Sequence, residues 1–264
     1  MNFSKKDLRK YNQENRGKGE GSSYILWTKI NEFSSKGRAS RIYGIKSNRI
    51  HHLHSDNQLR AFLLFEFSPK VIDIRESYPL IDIFNVIDDK ETLRFDKFKD
   101  SKSGEYFVLT TNFLLTLKDG GSTKYIARAV KNCSEFNRKT IIEKLEIERR
   151  YWHAKGIDFK VITNKELNRQ FCKNIEWVRE TVINEKDSGL DIYTLSNELY
   201  SFLQNNSHIR LKDLLKEFDR IKELEDGTGL YLFRYLIAKR TINIDMRLKV
   251  DLNSTVEDIV IGYA

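Results

Sequence analysis

Three of the five histidines, His51, His52 and His54, stand almost side by side, and the run Ala129-Val130-Lys131 returns from Gly120-Gly121 towards Asn112. These two groupings are where the chain could do chemistry. A histidine cluster is the usual beginning of a zinc site, which needs further nitrogen, sulfur or carboxylate ligands to close. In an extended segment His52 and His54 share one face and His51 takes the other. No carboxylate or thiolate is suitably spaced, and Cys133 and Cys172 are the sole cysteines. The spacing therefore argues against a zinc site, and both cysteines read as reduced. The second grouping depends on a turn. If Gly120-Gly121 forms a two-residue hairpin loop, Asn112 lies opposite Ala129 and Lys131 shares the face of Ala129, so the three point into one small volume.

The positioning elements follow from periodicity. Two extended runs around Ser47-Asn48 form a hairpin between Arg41 and Leu53. Ser55 then caps a helix carrying Leu59, Phe62, Leu63 and Phe67, with Gln58 at the third helical position completing a capping box. Val71–Arg75 is a short strand, and Tyr106–Lys131 is the hairpin itself. Glu135–Gly156 is a helix with Ile141, Leu145, Glu148 and Trp152 on one face, Phe159–Thr163 a strand, and Asn164 the cap of a further helix. Beyond residue 165 come three short amphipathic helices, Ile192–Leu203, Arg210–Leu224 and Leu230–Lys239, and a strand-like Thr241–Val250. The tail from Leu252 either docks on a partner or packs on its own domain.

Composition bounds the function. The 264 residues are 40% hydrophobic and rich in Phe and Tyr, too apolar for a disordered chain. A formal charge of +8 and a pI near 9.2 favour nucleic acid over acidic partners. No apolar run is long enough to span a bilayer, and the N-terminus has no secretory signal, so the expectation is a soluble cytoplasmic protein without a membrane partner. The division expected is a mobile basic arm over 1–22, an α/β domain over 23–166 and a small winged-helix domain over 167–264.

Several segments resemble the TnsA family, the endonuclease subunits of Tn-seven-type heteromeric transposases. They are Gly37–Tyr43, His51–Asp56, Val71–Glu76, Lys118-Asp119-Gly120 and Glu143–Trp152, in matching order and spacing. The resemblance covers the first domain from about Gly17 to Leu167, and only length and helical character beyond it. It implies a restriction-endonuclease-like mixed sheet flanked by helices, followed by a winged-helix domain. It also implies a prokaryotic, nucleoid-associated protein that binds double-stranded transposon ends. Its partners would be a DDE-type transposase and, through the C-terminal domain, an AAA+ ATPase regulator. In the family a helix-borne Glu, an Asp on one hairpin strand and a Gln-x-Lys on the other hold two divalent ions that hydrolyse the 5′ ends.

Three of those four catalytic positions are substituted here. The Glu falls on Gln58, the Asp on Asn112 and the Gln on Ala129; Lys131 alone is retained. Two carboxylates and a lysine carry −1, whereas Gln58, Asn112 and Lys131 carry +1, which repels a divalent cation. Loss of one preorganised charge stabiliser costs an enzyme roughly a hundred- to a thousandfold. The expectation is an inactive nuclease centre with no metal or other cofactor, retained for DNA-end binding and assembly. Arg38, Arg41, Lys46, Arg49, His51, His52 and Lys131 are the candidate DNA contacts. The alternative is an active Mg²⁺-dependent endonuclease cutting 5′ ends, through unusual ligands or because the chain is an engineered variant. A third reading is a stand-alone regulator driven by the winged helix.

Bland roles compete at each position. Gln58 serves a capping box as well as Glu does, Asn112 can be a hydrogen-bonded sheet residue, and Ala129 can be packing. Glu66, two turns beyond Gln58 and about 12 Å along the helix axis, is too far to share an ion. Glu148 matches an acidic residue in the family and could approach the site, but the favoured reading is an ordinary exposed i,i+4 ion pair with Lys144.

Overall fold

The computed structural model describes residues 5–32, 37–101, 103–187 and 189–263. It separates into two compact units, 1–167 and 168–264.

The first unit begins with α1 (Lys5–Gln13) and then the hairpin β1 (Ser40–Gly44) and β2 (Arg49–Leu53). The segment 1–22, expected as a mobile basic arm, is corrected over its described part. Tyr11 is buried edge-on against Trp27, their ring centroids 5.1 Å apart. The buried Arg16 binds both oxygens of Glu32 at 2.7 and 2.9 Å, and donates to Glu14 as well. A lysine-rich composition conceals this because the anchor is one arginine whose carboxylate partners are distant in sequence or isolated among basic neighbours.

Ser55 caps α2 (Asp56–Phe67) by accepting the amide proton of Gln58, and the helix ends at Ser68 before Pro69. Next come β3 (Val71–Pro79), longer than its apolar run, and the single turn α3 (Ile83–Val86). The hairpin β4 (Thr110–Asp119) and β5 (Ser122–Lys131) closes on Gly120 and Gly121, with φ of 53° and 96°. Positive φ at both turn residues matches the twist of a two-residue hairpin, which is why glycine stands there twice. The register is the expected one: Phe113 faces Arg128, and Leu114 faces Ala127.

After the hairpin run α4 (Lys139–Ala154) and β6 (Asp158–Thr163). The sheet order is β3-β4-β5-β6, antiparallel except for the parallel β5–β6 pair, so it is mixed. Leu114, Ala127, Ile147, Tyr151 and Trp152 form part of the core between the sheet and α4. On α2, Phe65 packs against Phe113 of β4 with ring centroids 5.3 Å apart. Asn164, expected to cap the next helix, accepts the amide proton of Cys133 instead, and Asn168 caps α5 (Arg169–Ile183).

The second unit contains α5, α6 (Ile192–Asn205), α7 (Leu211–Ile221), α8 (Thr228–Ala238), β7 (Ile242–Ile244), the short α9 (Val256–Ile259) and β8 (Val260–Tyr263). The expected Thr241–Val250 strand is only three residues long, and β8 of the tail pairs with it antiparallel. Val256, Ile259 and Val260 are buried, so the tail packs within its own unit. The second unit thus combines helices with one two-stranded antiparallel pair.

Candidate active site

The β4–β5 ladder ends at Phe113 and Arg128. One residue further, the Asn112 side chain replaces it: its Oδ1 accepts the amide proton of Val130 at 2.7 Å. The face of the sheet changes at this point. Thr111 donates its hydroxyl proton to Glu148 of α4 at 2.8 Å, whereas Phe113 meets Phe65 of α2 edge-on, so two residues that a regular strand would turn to one face serve opposite layers. On β3 the neighbouring break is Ser77, whose φ of 49° is rare for a residue with a side chain. It separates Glu76, which binds Arg49, from Tyr78, which packs on Trp152. Strict alternation therefore places Asn112, Ala129 and Lys131 near one another but misses that the sheet is re-aimed there.

Ala129 is fully buried and brings no donor atom. Lys131, at the end of β5, is half-buried beside Lys144 and Glu148 of α4. Burial, and then repulsion from the Lys144 ammonium, push its pKa below the ordinary lysine range against the weaker pull of Glu148 and Glu135. Among the described residues no oxygen accepts a hydrogen bond from its Nζ. Glu148 is not the exposed partner expected. It is 1% exposed and held by Lys144 at 2.8 Å and Thr111 at 2.8 Å, while Trp152 Nε1 donates to that same Thr111 hydroxyl. Thr111 and Trp152 bring α4 flat onto β4, which buries the carboxylate. Lys144 also donates to the carbonyl of Thr110 at 2.6 Å.

Gln58 acts as a cap in a way the capping box does not describe. Its Oε1 accepts the amide proton of His54 at 2.9 Å, one residue before the N-cap. Among the described residues its side chain hydrogen-bonds His54 and does not reach the hairpin. Glu66 is likewise committed, accepting the amide proton of Ile45 at 2.6 Å.

The proposed DNA contacts divide into two groups. Arg49 is a structural residue: it donates to both oxygens of buried Glu76 at 2.9 and 2.6 Å and to the Ile74 carbonyl at 2.8 Å. His51 is fully buried between Ser47, at 2.5 Å, and Glu76, at 2.8 Å. Lys46 donates to the carbonyls of Ser68 and Val71. His52 Nδ1 accepts the Ile30 amide proton, and burial lowers its pKa below the ordinary imidazole value. All four side chains are engaged within the fold, and those of Arg49 and His51 are buried there. Sequence reasoning missed Glu76, the buried anion that draws Arg49 and His51 inward; it stands on a strand that also carries Asp73, Arg75 and Ser77, so residue type alone gave no cue. Arg41 lies exposed on the outer face of the β1–β2 ribbon beside Tyr43 and Ile50, and Arg38 is 73% exposed with a 3.5 Å contact to Asp56.

Ser47, His51 and Glu76 have the atom order of a hydrolase relay. Their surroundings rule it out, because Ser47 is 2% exposed, His51 is closed to solvent and Arg49 already neutralises Glu76. Burial alone would raise the Glu76 pKa, but hydrogen bonds from Arg49 and His51 overcome it and hold the carboxyl at about 2. This network ties the β1–β2 ribbon to β3. Among the described residues no group of three or more His, Cys, Asp or Glu could hold a metal ion, and no helix is long and apolar enough to cross a membrane.

Comparison with known proteins agrees with this architecture. The TnsA-like endonuclease N-terminal family matches residues 68–164, which include Asn112, Ala129 and Lys131. The TnsA endonuclease C-terminal family matches residues 166–246. The transposon Tn7 transposition protein TnsA of Escherichia coli is 32% identical over 246 residues, covering 92% of this chain and 87% of that protein. With a mixed, helix-flanked sheet of restriction-endonuclease type followed by the second matched unit, the chain belongs to the TnsA family of transposition endonuclease subunits.

Proposed function

We propose that this Tn7-type transposition protein binds transposon-end DNA and joins the transposition assembly without cutting DNA. The observation that carries this reading is the donor set at the family's metal positions. The oxygen of Gln58 holds the His54 amide proton, the oxygen of Asn112 holds the Val130 amide proton, Ala129 has no donor, and Lys131 presents an ammonium. Hard divalent cations need anionic oxygens to compensate for dehydration. These residues do not fit such an ion. Glu148 is a remaining carboxylate close enough to act on Lys131, and both of its oxygens are committed, one to Lys144 and one to Thr111. The second reading, an active endonuclease using Glu148, would require that buried pair to break.

DNA would be held through the exposed basic surface of the first unit, with Arg41 and Arg38 in front. Double-stranded DNA fits the net charge of +8. The Escherichia coli relative is a transposition protein, which supports an assembly with other transposition proteins, for which we infer a DDE-type transposase and an ATPase regulator contacted by the second unit. The test is a strand-cleavage assay on labelled transposon-end duplex with the purified protein and its partner transposase, in Mg²⁺ and in Mn²⁺. The expected result is 3′-end cutting alone. Metal-dependent nicking at the 5′ ends that requires this chain would overturn the proposal.

A further inference from the structure

The outer face of the β1–β2 ribbon carries an apolar pair that the core does not use. Tyr43 and Ile50 are direct partners in the ribbon register, so their side chains stand on one face, where they are 39% and 47% exposed. On the same face the exposed Arg41 stands opposite His52, which accepts the Ile30 amide proton. The ribbon is anchored and cannot roll this pair inward. Arg49 and His51 hold it to Glu76 of β3, the Ile45 amide is tied to Glu66 of α2, and Lys46 donates to the carbonyls of Ser68 and Val71. The Tyr43 hydroxyl donates to Asn48 in the turn, which leaves the ring as the part it presents.

What covers this face must be anionic and must offer small apolar groups. Residues 40–53 contain Arg41, Lys46 and Arg49 and no Asp or Glu, and the carboxylates of Glu66 and Glu76 reach the ribbon from α2 and β3, where Ile45 and Arg49 engage them. Two apolar side chains are too few for the core of a protein interface, which buries about 800 Å² on each partner. They match the scale of contacts to base edges. The major groove of DNA, about 12 Å wide, admits a two-stranded ribbon, and thymine displays its C5-methyl group there. We propose that the β1–β2 ribbon enters the major groove and that Tyr43 and Ile50 read thymine methyl groups. This rests on the DNA-binding reading above and adds base readout to it, since a phosphate contact by Arg41 positions the ribbon but carries no sequence information.

The experiment titrates the full-length protein against a fluorescent transposon-end duplex and against the same duplex with every thymine replaced by uracil. That change removes the C5-methyl groups and keeps the base pairing. Wild type is expected to bind the uracil duplex more weakly, by about fourfold for each methyl group buried. Replacing thymines one at a time is expected to confine the loss to neighbouring base pairs. The double variant Tyr43→Ser, Ile50→Ser, confirmed as folded by its thermal melt, is expected to bind both duplexes alike. It is also expected to keep the wild-type slope of log K against log salt, because no phosphate contact is removed. Equal affinity of wild type for the two duplexes overturns the inference, and so does a double variant that still prefers thymine. Both of those results leave phosphate-based binding in place. If wild type binds neither duplex, the broader DNA reading falls and takes this inference with it.

Discussion

Asn112 Oδ1 accepts the amide proton of Val130 at 2.7 Å, so the residue standing where the family places an aspartate continues the sheet where the backbone ladder stops. The Asn112 amide thereby serves the sheet itself. Replacing Asn112 with Ala leaves the Val130 amide without its acceptor in a half-buried setting, a loss of about 1 to 3 kcal/mol. Asn112→Asp keeps an acceptor at the same reach and is expected to stay near wild-type stability. Urea unfolding midpoints distinguish the two.

Arg41 and Arg49 make opposite predictions although both are ribbon arginines. Arg49→Ala strands the Glu76 carboxylate in the core and is expected to cost roughly 3 to 5 kcal/mol, the range for breaking a buried pair from one side. Arg41→Ala touches no partner among the described residues and is expected to leave the melting temperature unchanged while weakening duplex binding. Thermal melts and anisotropy titrations on the two variants read both effects.

Glu76 makes stability depend on acid. Its folded pKa of about 2 lies below the ordinary value of 4.5, so its stabilisation is complete above pH 4.5 and is lost as pH falls towards 2. The shift corresponds to on the order of 3 kcal/mol. Glu76→Gln is expected to be less stable at pH 7 and to show a flatter fall between those pH values. Denaturant titrations at stepped pH measure the difference.

The Lys144–Glu148 pair is buried on one side and hydrogen-bonded on both, so Lys144→Met is expected to destabilise by about 3 kcal/mol through the unpaired Glu148. The double variant Lys144→Met, Glu148→Leu is expected to recover much of that loss, since an apolar pair of similar volume can replace buried ions. A double-mutant cycle on unfolding free energies checks the coupling.

The legible parts of the fold were those with local punctuation. Gly120-Gly121 fixed the hairpin register from sequence, and Ser55 marked the start of α2, because turn and cap chemistry act between neighbouring residues. Alternation also separated His51 from His52 and His54 correctly. What it could not show was the attraction inward of Arg49 and His51, which depends on Glu76 more than twenty residues away on another strand. The burial of Glu148 was hidden for the same reason, since i,i+4 spacing to Lys144 looks identical on a solvated helix and on one pressed against Thr111. At the candidate centre, residue identities gave the change of charge, while the turning of the sheet at Ser77 and Asn112 became visible only in three dimensions.

Crystals of the protein soaked at high Mn²⁺ and measured at the manganese absorption edge test the central claim most directly. The account predicts no anomalous peak between the start of α2 and the end of the β4–β5 hairpin around Asn112 and Lys131. A pair of strong peaks there, with protein oxygens at coordination distance, would contradict it.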